Sequence, residues 1–177
     1  MKGLHLLVRV VDQMTETLGK LIAWLTLAMV VLTFAIVVLR YGFNMGWIAL
    51  QESVLYLHGL VFMLGAAYTL KADGHVRVDI FYQGFSTRKK QFVDLFGGIF
   101  LLLPVCVFVF YISLDYVMAA WQIKEKSSEA GGLPFVYLSK SYLLIFSITL
   151  AMQGIAEVIR NALNLFTHSK LDSLGEQ

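Results

Sequence analysis

The sequence predicts an all-α integral membrane protein: four transmembrane helices, an N-terminal amphipathic interfacial helix, and both termini in the cytoplasm. Three observations carry this: four long apolar runs, a composition too apolar for a soluble chain, and an uneven distribution of Lys and Arg. Hydrophobic residues make up 58% of the 177 residues and charged residues 15%, with a mean hydropathy of +0.72. A soluble domain of that composition would be coated in exposed apolar surface. The net charge of +2 and the lack of a long basic stripe argue against a nucleic-acid partner.

In residues 1–20, Leu4, Leu7, Val11, Met14 and Leu18 share one side of a helical wheel with Thr15, while Arg9, Asp12, Gln13, Glu16 and Lys20 group opposite. That segregation fits a helix in the membrane interface, either as a lead-in to the first span or as a grip on a partner. The four-helix membrane domain follows over residues 21–160. Its first span, about residues 21–39, is uncharged and interrupted only by Thr26 and Thr33, and about 20 apolar residues cross a 30 Å hydrocarbon core. The run exceeds a signal-peptide core and leads into Arg40-Tyr41-Gly42 rather than a small-residue cleavage site, so it is read as a retained anchor.

The second span, about 47–70, carries Glu52 near its start, and the fourth, about 135–159, carries Lys140 in the same position. Charges near span ends snorkel to the headgroups. The third span, about 95–114, is uncharged between Asp94 and Asp115, and Pro104 at its middle predicts a kink. Residues 161–177 form a cytoplasmic tail, polar after Phe166 and expected to fray. Most of the 14 Lys and Arg residues precede span one, follow span four or lie in the 71–94 loop, whereas Arg40, Lys124, Lys126 and Lys140 fall on the other side. The positive-inside rule then places the termini and the 71–94 loop in the cytoplasm, with loops 40–50 and 115–137 outside.

Few residues suggest chemistry. A carboxylate deep in a span marks an ion or proton route, but Glu52 follows closely on Trp47, an aromatic that marks the outer interface, which favours an interfacial or helix-start role. Glu52, Tyr56, Gly59, Met63 and Ala66 share a face that mixes polar and small residues, suited to packing against another helix. Lys140, Ser147, Ala151 and Gly154 form a similar stripe, and a Lys140 to Glu52 contact is one way to join the two. His58 is the sole histidine within a span, one ligand short of a bis-histidine haem, and reads as a hydrogen-bonded packing residue. The single Cys106 excludes an intramolecular disulfide and a CxxC redox centre. No metal-ligand spacing, P-loop, GxSxG or HExxH occurs. No catalytic residue, metal or cofactor is expected on this chain.

Arg40-Tyr41-Gly42-Phe43-Asn44, Trp47 and Gln51-Glu52, then Gly74-His75-Val76-Arg77-Val78-Asp79, and finally Trp121, Glu125-Lys126-Ser127 and Leu133-Pro134 occur in order on a four-span chain. Over about residues 15–160 this set resembles the small permease subunit of tripartite ATP-independent periplasmic (TRAP) transporters, the DctQ-type family. The resemblance implies a bacterial inner-membrane protein that scaffolds a large multi-span permease subunit. That partner carries the substrate and sodium sites, and a periplasmic substrate-binding protein delivers an organic acid to the pair. Secondary transport of this kind uses a sodium gradient and hydrolyses no nucleotide. Membrane phospholipids are further expected partners, beside a juxtamembrane turn at His75, Arg77 and Asp79 or beside an ordinary positive-inside loop.

On this reading Arg40, Tyr41, Trp47, Glu52, Tyr56, Gly59, His75, Arg77, Asp79 and Lys140 are partner-interface or structural residues. Trp121, Lys124, Glu125, Lys126, Ser127 and Glu129 form a docking surface for the binding protein, with a plain solvated loop as the competing reading. Two other classes stay open. An anchor subunit of a membrane oxidoreductase would show paired intramembrane histidines or a quinone site, and a small autonomous carrier would need a carboxylate deep in a span.

Overall fold

Long apolar runs set the architecture, because a backbone in lipid must satisfy its own hydrogen bonds within a helix. The computed structural model describes residues 2–74, 82 and 84–175. His75, Arg77 and Asp79 lie outside the described residues. Four helices form the described chain: α1 (Lys2–Gly42), α2 (Ile48–Lys71), α3 (Thr87–Ile123) and α4 (Val136–Gly175). All four are long and apolar enough to cross a membrane, and no strand occurs among the described residues.

Charges bracket each apolar core: Lys20 and Arg40 on α1, Glu52 and Lys71 on α2, Asp94 and Asp115 on α3, Lys140 and Glu157 on α4. Three of the bracketed stretches are close to the ~20 residues a bilayer requires, and the one on α4, residues 141–156, is shorter. Arg160 pairs with Asp12, and Lys71 with Glu16, so the amino-terminal part of α1, the end of α2 and the carboxy-terminal half of α4 meet at one end of the bundle. This is the terminal end; the α1–α2 and α3–α4 loops lie at the opposite, loop end.

The amphipathic lead-in is not a separate helix. α1 runs unbroken from Lys2 to Gly42, because Gly19, the one candidate breaker near the expected boundary, is covered by the ring of Tyr68 from α2. Val11, Thr15 and Ile22 form its buried line, while Leu4, Leu7 and Met14 stay exposed. α1 ends where the Phe43 and Met45 amides both reach the Leu39 carbonyl, at 3.2 and 2.9 Å, with Asn44 in the left-handed region. α4 continues as helix to Gly175, and residues 155–174 hold no glycine or proline to stop it.

The disturbance expected at Pro104 takes the form of a π turn. α3 is α-helical over Thr87–Gly97 and Leu103–Ile123, with a π-helical segment at Gly98–Leu102 where the Leu103 amide reaches back to Gly98. Proline lacks an amide and its ring crowds the carbonyl four residues earlier, here Phe100. Widening the helix by one residue relieves that clash.

α4 is the central post. It packs against α1, α2 and α3, α1 pairs with α2, and α3 packs chiefly on α4. The most completely buried side chains sit there, with Gln153 and Ala156 at 0% exposure and Ser147 at 1%. Glycines set the α3–α4 approach: a Cβ at Gly98 would fall 2.7 Å from Val158, and one at Gly154 would fall 2.8 Å from Leu102. The result is an open fan rather than a closed bundle. Its accessible surface is 12184 Å², against about 8,700 Å² for a compact soluble chain of this mass.

Gly154→Val is expected to push α3 off α4 and to destabilise the purified chain by about 1–3 kcal/mol. Gly65→Ala, where a Cβ meets nothing within 4 Å, should leave stability unchanged or slightly raised. Unfolding in a detergent mixture, followed by circular dichroism, separates the two.

Candidate functional site

The loop end is built on Glu52. Its carboxylate, one turn into α2, accepts a hydrogen bond from the Ser127 hydroxyl and another from the Leu133 amide at 2.6 Å. The loop closes on itself through Ser127 N–H to Leu133 O at 3.0 Å and Gly132 N–H to Glu129 O at 3.0 Å. Gly131 takes a φ of 82°, a region that favours glycine. Gly132 has no room for a side chain, since a Cβ there would collide with Ser127 and the Glu52 carboxylate. The α3–α4 loop is thus stapled to α2 by one carboxylate.

A second cluster caps α3. Lys124 ends the helix in the left-handed conformation at φ 49° and lays its ammonium over Trp121 and Tyr137, at 4.4 and 4.8 Å from the ring centres. Trp121 stacks edge-on against Tyr137 and donates its indole N–H to the Ser141 hydroxyl at 2.8 Å. Lys140 binds Glu125 at 2.5 Å and lies over Tyr116. The Lys140 to Glu52 contact is therefore not formed, because the loop supplies each of them with a nearer partner. The rest of the Lys140 stripe also turns elsewhere: Ser147 and Ala151 share a slot of about 230 Å³ with Cys106 of α3, and Gly154 meets Leu102. The α2 face does pack on α4, by way of Gly59 and Tyr142.

Exposed polar side chains at this end lie at the loop tips and on the helices, where Gln51 and Asp115 are exposed. Lys126, Ser128 and Glu129 are exposed on the α3–α4 loop, and Arg40, Tyr41 and Trp47 are exposed around the α1–α2 loop, with Tyr41 at 83%. Glu125 and Ser127 are half-buried and spent on internal bonds.

At the terminal end a polar network enters the core. Thr15 donates its hydroxyl to Gln153 Oε1 at 2.8 Å, and Gln153 Nε2 donates to Asp12 at 3.1 Å and Glu157 at 3.2 Å. Arg160 bridges the same two carboxylates at 2.6 and 2.5 Å. Lys71 adds α2 by binding Glu16 at 2.5 Å and the Asp12 carbonyl at 3.0 Å. Hydrogen bonds from Lys71 and Lys20 hold the Glu16 carboxyl, just outside the apolar span of α1, below the usual carboxylate range. Beside this network a cavity of about 480 Å³ opens between α2, α3 and α4, lined by Lys71, Asp94, Arg160 and Asn161 among others. Sequence reasoning missed the network. Its one signal was Gln153, an amide inside an apolar run where an unpaired polar group is costly.

His58 is not the hydrogen-bonded packing residue expected of it. It is exposed on α2, stacks on Phe62 with ring centres 6.4 Å apart, and has no hydrogen bond to a described residue. Among the described residues no group of His, Cys, Asp and Glu forms a metal site.

An open fan of four spans, with charges gathered at both ends and most of its apolar surface unshared within the chain, is a multi-pass membrane protein of the kind that serves as one component of a larger assembly. Over residues 29–164 the chain matches the family described as "Tripartite ATP-independent periplasmic transporters, DctQ component", and it belongs to that family. It is the small permease subunit of a TRAP transporter, and its family is one of transport components. No curated protein and no solved structure matches it.

Glu52→Ala is expected to strand the Leu133 amide and release the loop, at about 1–3 kcal/mol of local stability. Amide exchange of a peptide covering residues 125–134 should quicken in that variant. Unchanged exchange would show that Glu52 does not hold the loop.

Proposed function

We propose that this chain scaffolds the large permease subunit of its transporter in a bacterial inner membrane, for sodium-driven uptake of an organic acid handed over by a periplasmic binding protein. Family membership over residues 29–164 is the observation that carries the reading. The physical character of the chain agrees with a stationary role. The middle of each span is free of Asp, Glu, Lys and Arg, and Glu52, the one carboxylate that raised the question of an ion route, is engaged in holding a loop. Coupling ions and a carboxylate substrate need charged or dipolar groups at depth, which the partner would supply.

The terminal end, where most Lys and Arg lie, faces the cytoplasm on this reading, and the loop end faces the binding protein. Arg40, Tyr41 and Trp47 sit in the outer headgroup layer. Lys126 and Glu129 at the loop tip, rather than the whole Trp121, Lys124, Glu125 and Ser127 cluster, are offered for docking, since the others bind within the chain. Phospholipids cover the apolar outer faces of α1 and α3.

Purification from native membranes through a tag on residues after Phe166 tests the scaffold, with near-equal recovery of one large multi-span protein as the expected result. Recovery of the chain alone, or of a haem protein, would refute it. Docking is tested by reversing Lys126 and Glu129 together. Uptake at limiting binding protein should fall about 3–10-fold, as expected for two rim charges worth up to ~1 kcal/mol each, while complex yield stays level. Unaltered uptake would remove the docking assignment.

A further inference from the structure

One face of α2 is left without a neighbour in this chain, and it is not an ordinary lipid face. Gln51, Leu55, His58 and Phe62 are exposed along it, with Leu55 at 67% and Phe62 at 69%. Gly65 and Thr69 continue the same line, alternately three and four residues apart. That is the a/d spacing of a helix lying against another at a shallow angle.

His58 decides what covers the face. It lies about 9 Å along the helix inside Glu52, within the apolar core, and its imidazole stacks on Phe62 and makes no hydrogen bond to a described residue. Hydrocarbon tails offer neither donor nor acceptor to an imidazole. Other exposed polar residues need no such partner. The Thr26 and Thr33 hydroxyls on α1 can turn to the carbonyl one turn back, as Thr69 and Thr149 do, and Arg40 and Asp115 sit at span ends within reach of headgroups. An imidazole cannot fold back in that way. Gly65 supplies the complementary shape: it lies one heptad from His58, and a Cβ there would meet nothing within 4 Å, so a second backbone can come close.

We propose that the Gln51, Leu55, His58, Phe62, Gly65 and Thr69 stripe of α2 seats one transmembrane helix of the large permease subunit, with His58 hydrogen-bonded to a polar side chain of that helix. The proposal rests on the scaffold reading and sharpens it. The Glu52, Tyr56 and Gly59 face, a candidate partner surface from sequence, is already occupied by the loop and by α4. The partner therefore takes the stripe beside it.

The test uses the full chain co-expressed with the large subunit, with the photo-crosslinker p-benzoyl-phenylalanine placed in turn at Leu55, Phe62, Phe34 and Phe108. Adducts to the large subunit from Leu55 and Phe62 are expected. In parallel, His58→Leu should lower recovery of the large subunit about threefold, the scale of an interhelical hydrogen bond in a membrane, and His58→Gln should restore it. If the large subunit co-purifies but crosslinks from Phe34 or Phe108 and not from Leu55 or Phe62, the stripe is refuted and the scaffold reading stands. Lipid adducts alone at Leu55 and Phe62, or full recovery with His58→Leu, refute it equally. Failure of the unaltered chain to recover a large subunit removes the scaffold reading itself.

Discussion

The fold depends on Gln153. A side-chain amide buried between helices has no water to turn to, so each of its polar atoms must find protein. Gln153 is fully buried on α4 and is met by Thr15 and Asp12 from α1 and by Glu157 one turn further along α4. Arg160 closes the set by pairing with both carboxylates. Apolar contacts would let α1 slide or rotate on α4, because lipid tails solvate Leu and Val as well as a neighbouring helix does. The amide admits one register. With α1 held, Lys71 can reach Glu16, and α2 takes its place between α1 and α4.

Glu52 does at the loop end what Gln153 does at the terminal end, but from outside the hydrocarbon. A carboxylate there can remain charged and accept two donors from an irregular loop, a segment with no regular partner for the Leu133 amide. The two glycines beside it are required by geometry: Gly131 by its backbone angle and Gly132 by the space that Glu52 fills. Lys124, Trp121 and Tyr137 then lock the loop to the ends of α3 and α4. The loop tip stands exposed on a base held by these contacts.

The openness of the fan has the same origin as its membership in a multi-component transporter. Three helices arranged around the α4 post leave much of α1, α2 and α3 uncovered, and α3 touches chiefly α4. Such a wall is stable in lipid, where exposed Leu and Phe cost nothing. It presents broad faces to neighbours.

The sequence by itself determined that this is a four-span helical membrane protein of the DctQ type, because bilayer thickness demands about 20 apolar residues per span and the chain has four such runs with charges at their ends. It also determined that Glu52 sits at a helix start and that its face packs on another helix, since those readings need only helical periodicity. The continuity of α1 through Gly19, and the π turn ahead of Pro104, were decided by packing and by backbone clashes between residues on different turns. Only the tertiary structure decided the partners. Lys140 took Glu125 rather than Glu52, Gln153 joined Asp12 across 141 positions of sequence, and His58 was left facing outward. Periodicity assigns a residue to a face of its own helix; which helix or loop comes to that face depends on contacts between segments far apart in the chain, and one sequence carries no direct record of those.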